Sequence, residues 1–156
     1  MNYKEPFVPT PEDIIPKMLR LASLEPGEVL FDLGSGDGRL VIAAAREFNA
    51  RVVGVESRKS LVVECRRKVR ELGLSDRVTI RRENFKRVSL KKADVLATYL
   101  SSYTLNLLGP KLRKELRPGA RIVNFDYPIP DWSPAREIQV TPAGWKKPHP
   151  VFLYVM

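Results

Sequence analysis

Asp32, Gly34, Gly36, Gly38 and Glu56 have the types and spacing to do chemistry. The glycines stand at alternate positions after a short apolar run, and Asp32 lies two positions before the first of them. A strand that ends in a glycine turn and opens a helix aims backbone N–H groups and a positive helix terminus at a ligand. The usual guest is a phosphate, announced by the spacing G-x-G-x-x-G. Here the spacing is G-x-G-x-G and the neighbour is a carboxylate, which would repel a pyrophosphate and hold a cation. Glu56 closes the next apolar run, residues 51–55, where its two oxygens can accept hydrogen bonds from both hydroxyls of a ribose.

A ligand with a ribose, a cationic amino-acid end and no phosphate satisfies both acids. S-adenosyl-L-methionine has that constitution. The aspartate, the alternating glycines and the acid after the second strand together resemble the class I methyltransferases. Asn84 and Phe85 follow the third predicted strand, on the edge where open α/β sheets bind ligands. An amide there can bond adenine N6 or N1, and a phenylalanine can pack near the ring. Tyr99 ends the fourth predicted strand, where class I enzymes place the methyl acceptor. The local sequence, Thr98-Tyr99-Leu100-Ser101, lacks the N/D-P-P-Y pattern that grips the exocyclic amine of adenine or cytosine. An aromatic at that place can lie against a nitrogen that is cationic before and after transfer.

The elements that must position these residues alternate along the chain. Strands are predicted at 29–31, 51–55, 77–82, 93–100 and 120–125, with helices at 39–48 and 58–72, the second ended by Gly73. An amphipathic stretch at 102–116 is expected to break at Pro110, leaving a helix at 111–116. Short strands at 136–140 and 151–155 read as an antiparallel pair at the sheet edge. Thr10 to Asp13 reads as a helix start, with a hydroxyl cap, a proline in the first turn and acids at the positive end of the dipole. The pattern predicts an α/β, Rossmann-like domain with a mostly parallel seven-stranded sheet, an antiparallel C-terminal hairpin and helices on both faces. Residues 1–27 are expected to close over the cofactor site.

At 156 residues the chain has the length of one domain. No apolar run approaches the roughly 20 residues that span a bilayer, and the start MNYKEPFVPTPED has no apolar signal core. A cytoplasmic monomer with no membrane insertion is the expectation. Cys65, alone of its kind, lies in a helical pattern and reads as a packed thiol. His149 has no second histidine or cysteine at ligand spacing and is expected to do no chemistry. Tyr127, Trp132 and Trp145 lie in proline-rich loops and read as packing staples, with a substrate groove as the alternative. The net charge of +9 is uneven, because residues 51–92 hold 14 basic and 5 acidic groups. That excess reads first as a solvated charged surface and second as a nucleic-acid contact.

Over nearly its whole length the chain resembles the small archaeal protein-lysine methyltransferases, related to the family that methylates the ATP synthase c-subunit. The likeness rests on VPTPED, DLGSGDGR, VGVE, ENF, PKLRKELRPGARIV and the terminal VFLYVM. It implies S-adenosyl-L-methionine as cofactor and protein substrates with exposed lysines as partners; small-molecule (corrinoid-type) and RNA or DNA methylation are the alternatives. It further implies that Asp32, Gly34, Gly36 and Asp37 hold the methionine end, with Thr10 at its carboxylate. Glu56 would serve the ribose, Asn84 and Phe85 the adenine, and Ser35, Ser57, Thr98 and Leu100 are expected among the cofactor-binding residues. Tyr99 and its neighbours would border the lysine channel, with Tyr99 orienting the amine.

Overall fold

The computed structural model describes residues 4–156. A single seven-stranded sheet organises them, in the order β3-β2-β1-β4-β5-β7-β6. The strands are β1 (Val29–Leu33), β2 (Arg51–Glu56), β3 (Val78–Arg82), β4 (Val95–Thr98), β5 (Arg121–Phe125), β6 (Arg136–Val140) and β7 (His149–Val155). Five are parallel, and β7 runs antiparallel between β5 and β6. The expected architecture is therefore the one observed.

The central strands are apolar because both their faces are covered. Helices α1 (Ile15–Leu21), α2 (Arg39–Glu47) and α3 (Lys59–Glu71) pack one face, with Met18, Leu19, Val41, Val62 and Cys65 in the core. Helix α4 (Ser102–Glu115) packs the other through Leu105, Leu108 and Leu112. Each such aliphatic side chain contributes about 1.5–3 kcal/mol by leaving water. Strand order reverses between β1 and β4, so the crevice beyond their carboxyl ends is the place a ligand can enter.

Three local expectations need correction. Helix α1 begins at Ile15, with Ile14 as N-cap, and not at Thr10. Pro16 decides this: it has no N–H to donate and fits only a first turn, so the helix cannot already be running there. Helix α4 runs unbroken through Pro110. Its buried leucines anchor it on one face, while Pro110 and Asn106, whose carbonyl loses a helical partner, are both exposed to water. Strand β4 spans four residues, shorter than the 93–100 predicted; Leu100 and Ser101 already lead into α4.

Candidate active site

The crevice beyond β1 and β4 is built on the glycine turn. Gly34, Gly36 and Gly38 all have positive φ (79°, 57° and 85°), a region that L side chains rarely adopt. The Gly34 and Ser35 amides donate to the Val55 carbonyl at 2.8 and 3.0 Å, fastening the turn to β2. Space is as strict as conformation. A Cβ on Gly38 would lie 2.2 Å from Cys65 Sγ, and one on Gly36 would lie 2.4 Å from the Phe7 ring. Cys65 is thus a packing thiol under the turn, its ionisation pushed up to about 11 by burial and by the charge of Asp32.

Four acids and bases set the electrostatics. Asp32 is buried at the end of β1, and no described residue donates a hydrogen bond to it. Burial first, then the charges of Glu56 and Asp37, raise its carboxyl to about 7. Glu56 is 2% exposed; Oε1 accepts from the Gly36 amide at 3.1 Å and Oε2 from the Arg58 amide at 2.8 Å. Oε2 also takes the Arg58 side chain, through Nη1 at 3.5 Å, while Oε1 keeps a second lone pair for a ligand hydroxyl. Asp37 is held by Arg39 at 2.8 Å. Burial would raise its carboxyl, but the hydrogen bonds from the Arg39 side chain and backbone outweigh this and hold it below the ordinary value.

The N-terminal segment straps this crevice. Thr10 offers its carbonyl to Arg39 at 3.2 Å, and Phe7 covers Gly36. Glu5 reaches across to the start of α4, accepting from Thr104 Oγ1 at 2.7 Å and from Ser101 Oγ at 3.1 Å. The crevice between strap and sheet is lined by Thr10, Asp32, Gly34, Ser35, Gly36, Asp37, Glu56, Ser57, Asn84, Phe85, Tyr99 and Leu100. Twelve of the thirteen residues singled out from the sequence therefore share one cleft. Thr98 does not line it; its hydroxyl donates to Asn124 Oδ1 behind β4. The donor set suits a ribose and a cationic group: a lone pair kept on Glu56 Oε1 and an Asp32 carboxylate with no donor of its own. Asn84 spends Oδ1 on the Lys86 amide at 2.9 Å, so it is a turn residue as well as a cleft residue.

Beyond Tyr99 the sequence reading saw less than the structure holds. The Tyr99 ring packs edge-on against Phe125 at 4.8 Å and stacks with Tyr127 at 6.3 Å. Phe125 meets Trp145 at 6.0 Å, and Trp145 meets His149 at 4.6 Å. Tyr127 and Trp145 thus belong to one aromatic group that meets the cleft at Tyr99. Trp132 does not: it packs on Tyr154 and under Arg113, against α4. Asn124, fully buried, ties this end together by accepting from Thr98 and donating to the Tyr127 carbonyl. No sequence motif announces Asn124 or His149, whose partners are set by strand register.

Residues 32–136 match the ANTKMT methyltransferase domain family. A protein-lysine N-methyltransferase of Saccharolobus islandicus is 37% identical over 97% of this chain and 93% of its own length. An adenine nucleotide translocase lysine N-methyltransferase of Mus musculus is 35% identical over 86% of this chain, which spans 58% of that protein. Among solved structures, an RNA methyltransferase from Salinibacter ruber in complex with S-adenosyl-L-homocysteine is similar at a TM-score of 0.88 and 36% identity. That likeness covers 95% of this chain and 93% of the other.

Proposed function

The chain belongs to the ANTKMT methyltransferase domain family, and on that premise we propose that it methylates lysine side-chain amines of proteins. It is an N-methyltransferase whose cofactor is S-adenosyl-L-methionine. The observation that carries the lysine reading is the likeness, over 97% of the chain, to a protein-lysine N-methyltransferase. No helix among the described residues is long and apolar enough to cross a membrane. A monomer acting in the cytoplasm completes the proposal.

When bound, the cofactor supplies an electrophilic methyl group. Asp32 would hold the cationic amino-acid end, and Glu56 would accept from the ribose hydroxyls. Asn84 and Phe85 would hold the base, and Thr10 with the glycine turn the carboxylate end. Asp37 acts through Arg39, fixing the turn to the strap. Tyr99, at the junction of the cleft and the aromatic group, guides the amine along the line of attack. Such alignment can be worth roughly 7–11 kcal/mol. The aromatic group would stabilise the methylated ammonium by cation–π contact.

A second reading has one observation in its favour: the Salinibacter relative, 36% identical, is described as an RNA methyltransferase. The two are separated by incubating the purified protein with methyl-labelled cofactor and a cell extract, then treating with protease or nuclease. Label lost to protease and recovered as methyl-lysine is the expected result. Label lost only to nuclease would transfer the assignment to RNA. With a lysine substrate in hand, Tyr99→Ala is expected to lower kcat at least tenfold; full turnover would remove its orienting role.

A further inference from the structure

A lysine amine is an ammonium at neutral pH, with an ordinary value of about 10.4. It must lose a proton before its nitrogen can attack a methyl group. Behind Tyr99, one ring removed from the cleft, the structure holds a group suited to receive that proton. His149 is the one histidine of the chain and opens β7. The antiparallel pairing of β7 with β5 brings its ring to Asp126, the residue that follows β5. His149 Nδ1 lies 2.8 Å from Asp126 Oδ1, and the Asp126 amide donates to the Pro150 carbonyl at 2.8 Å. Asp126 holds a φ of 75°, left-handed for a residue that is not glycine. Both side chains are part-exposed, at 29% and 18%, so the pair can exchange protons with solvent. The ring touches Trp145 and Phe125, and Phe125 packs on Tyr99 at the cleft wall.

We propose that the Asp126–His149 pair takes up the proton of the substrate lysine. The inference rests on the lysine reading above. In the step, an Nζ–H bond of the ammonium breaks and an Nε2–H bond on His149 forms, leaving the electron pair on Nζ. The imidazolium then releases its proton to solvent. Asp126 accepts the Nδ1–H, which leaves Nε2 free as the acceptor and stabilises the charged ring. Imidazole is the side chain that exchanges protons near neutrality. The Tyr99 phenol cannot serve instead, because burial, Asp126 and Tyr127 push it up to about 12. The β6–β7 loop that leads into His149 carries Lys146 and Lys147, both exposed, and its Ala143 amide donates to Asp13 at 2.9 Å.

The lone histidine makes two readouts possible. In 15N NMR of the whole protein its ring signals are unambiguous, and the Nδ1–H tautomer is expected. Asp126→Ala is expected to abolish that preference, since the acceptor that fixes Nδ1–H is gone. In turnover, His149→Gln is expected to lose about 100-fold in kcat/KM at pH 7. It should converge on the wild type near pH 10, where lysine sheds its own proton, with cofactor affinity unchanged. A deficit equal at every pH would make His149 a packing residue and overturn the proposal, as would full activity at pH 7 or a tautomer unmoved by Asp126→Ala. If the wild type methylates no lysine at all, the lysine reading falls and takes this step with it. A wild type that methylates lysine while His149→Gln keeps pace sinks the proton step alone.

Discussion

Asp32 is the residue on which affinity and stability meet. The folded protein holds its proton more tightly than the unfolded chain, whose carboxyl keeps an ordinary value near 3.8. Its contribution is therefore fully present below pH 4 and lost as the pH climbs from about 4 to about 7. A rise from 3.8 to about 7 corresponds to roughly 4 kcal/mol on the alkaline side. In the absence of cofactor, Asp32→Asn should thus be more stable than wild type at pH 8 and equal to it at pH 4, by urea unfolding. It should also bind the cofactor far more weakly by calorimetry. Wild-type affinity should strengthen as pH rises through about 7, because the cationic end of the ligand pairs only with the ionised carboxylate. A gap that did not depend on pH would show that Asp32 is not the group titrating.

At the scale of elements, the glycine turn is wedged between a strap and a helix. Gly38 meets Cys65 of α3, a buried side chain with nowhere to go, whereas Gly36 meets Phe7, which is 41% exposed on the strap. Gly38→Ala should cost about 2–4 kcal/mol, from overpacking together with a left-handed backbone. Cys65→Ala in the same chain should return about 1–3 kcal/mol of that, a coupling a double-mutant cycle measures. Additive effects would mean that the turn and α3 do not share this contact. Gly36→Ala should leave the fold in place and displace Phe7 and the strap.

The whole molecule carries +9, and its basic stretch 51–92 forms the β3 side of the sheet. Part of that charge is internal bookkeeping of the fold: Arg66 binds the Ile80 carbonyl, and Arg67 pairs with Glu64 and Glu71. Arg81 and Arg82 stand exposed on the terminal strand, where cations discourage pairing with another sheet edge. Methylation of a protein substrate should therefore weaken only mildly between 50 and 200 mM salt, concentrations chosen because several phosphate contacts would cost about 10³-fold or more over that range. A steep decline would assign this edge to nucleic acid.

The sheet, its helices and twelve of the residues in the cleft were legible because they depend on local pattern. Apolar runs mark strands covered on both faces, alternating glycines mark a turn that side chains cannot enter, and an acid at a strand end falls on the ligand edge by topology. Pro16 and Pro110 show where local signals compete: the same residue type sets the start of α1 yet is tolerated in α4, because the buried leucines of α4 itself, packed on the sheet, offset the lost bond. Tertiary structure alone decided the rest. Asp126 and His149 are 23 residues apart, Thr98 and Asn124 are 26 apart, and Glu5 is 96 from Ser101. Such pairs are made by strand register and by a segment folding back over the sheet. No spacing within a linear sequence encodes them, so the sequence by itself determined the fold and the residues of the cleft, and only the assembled sheet decided what stands behind Tyr99.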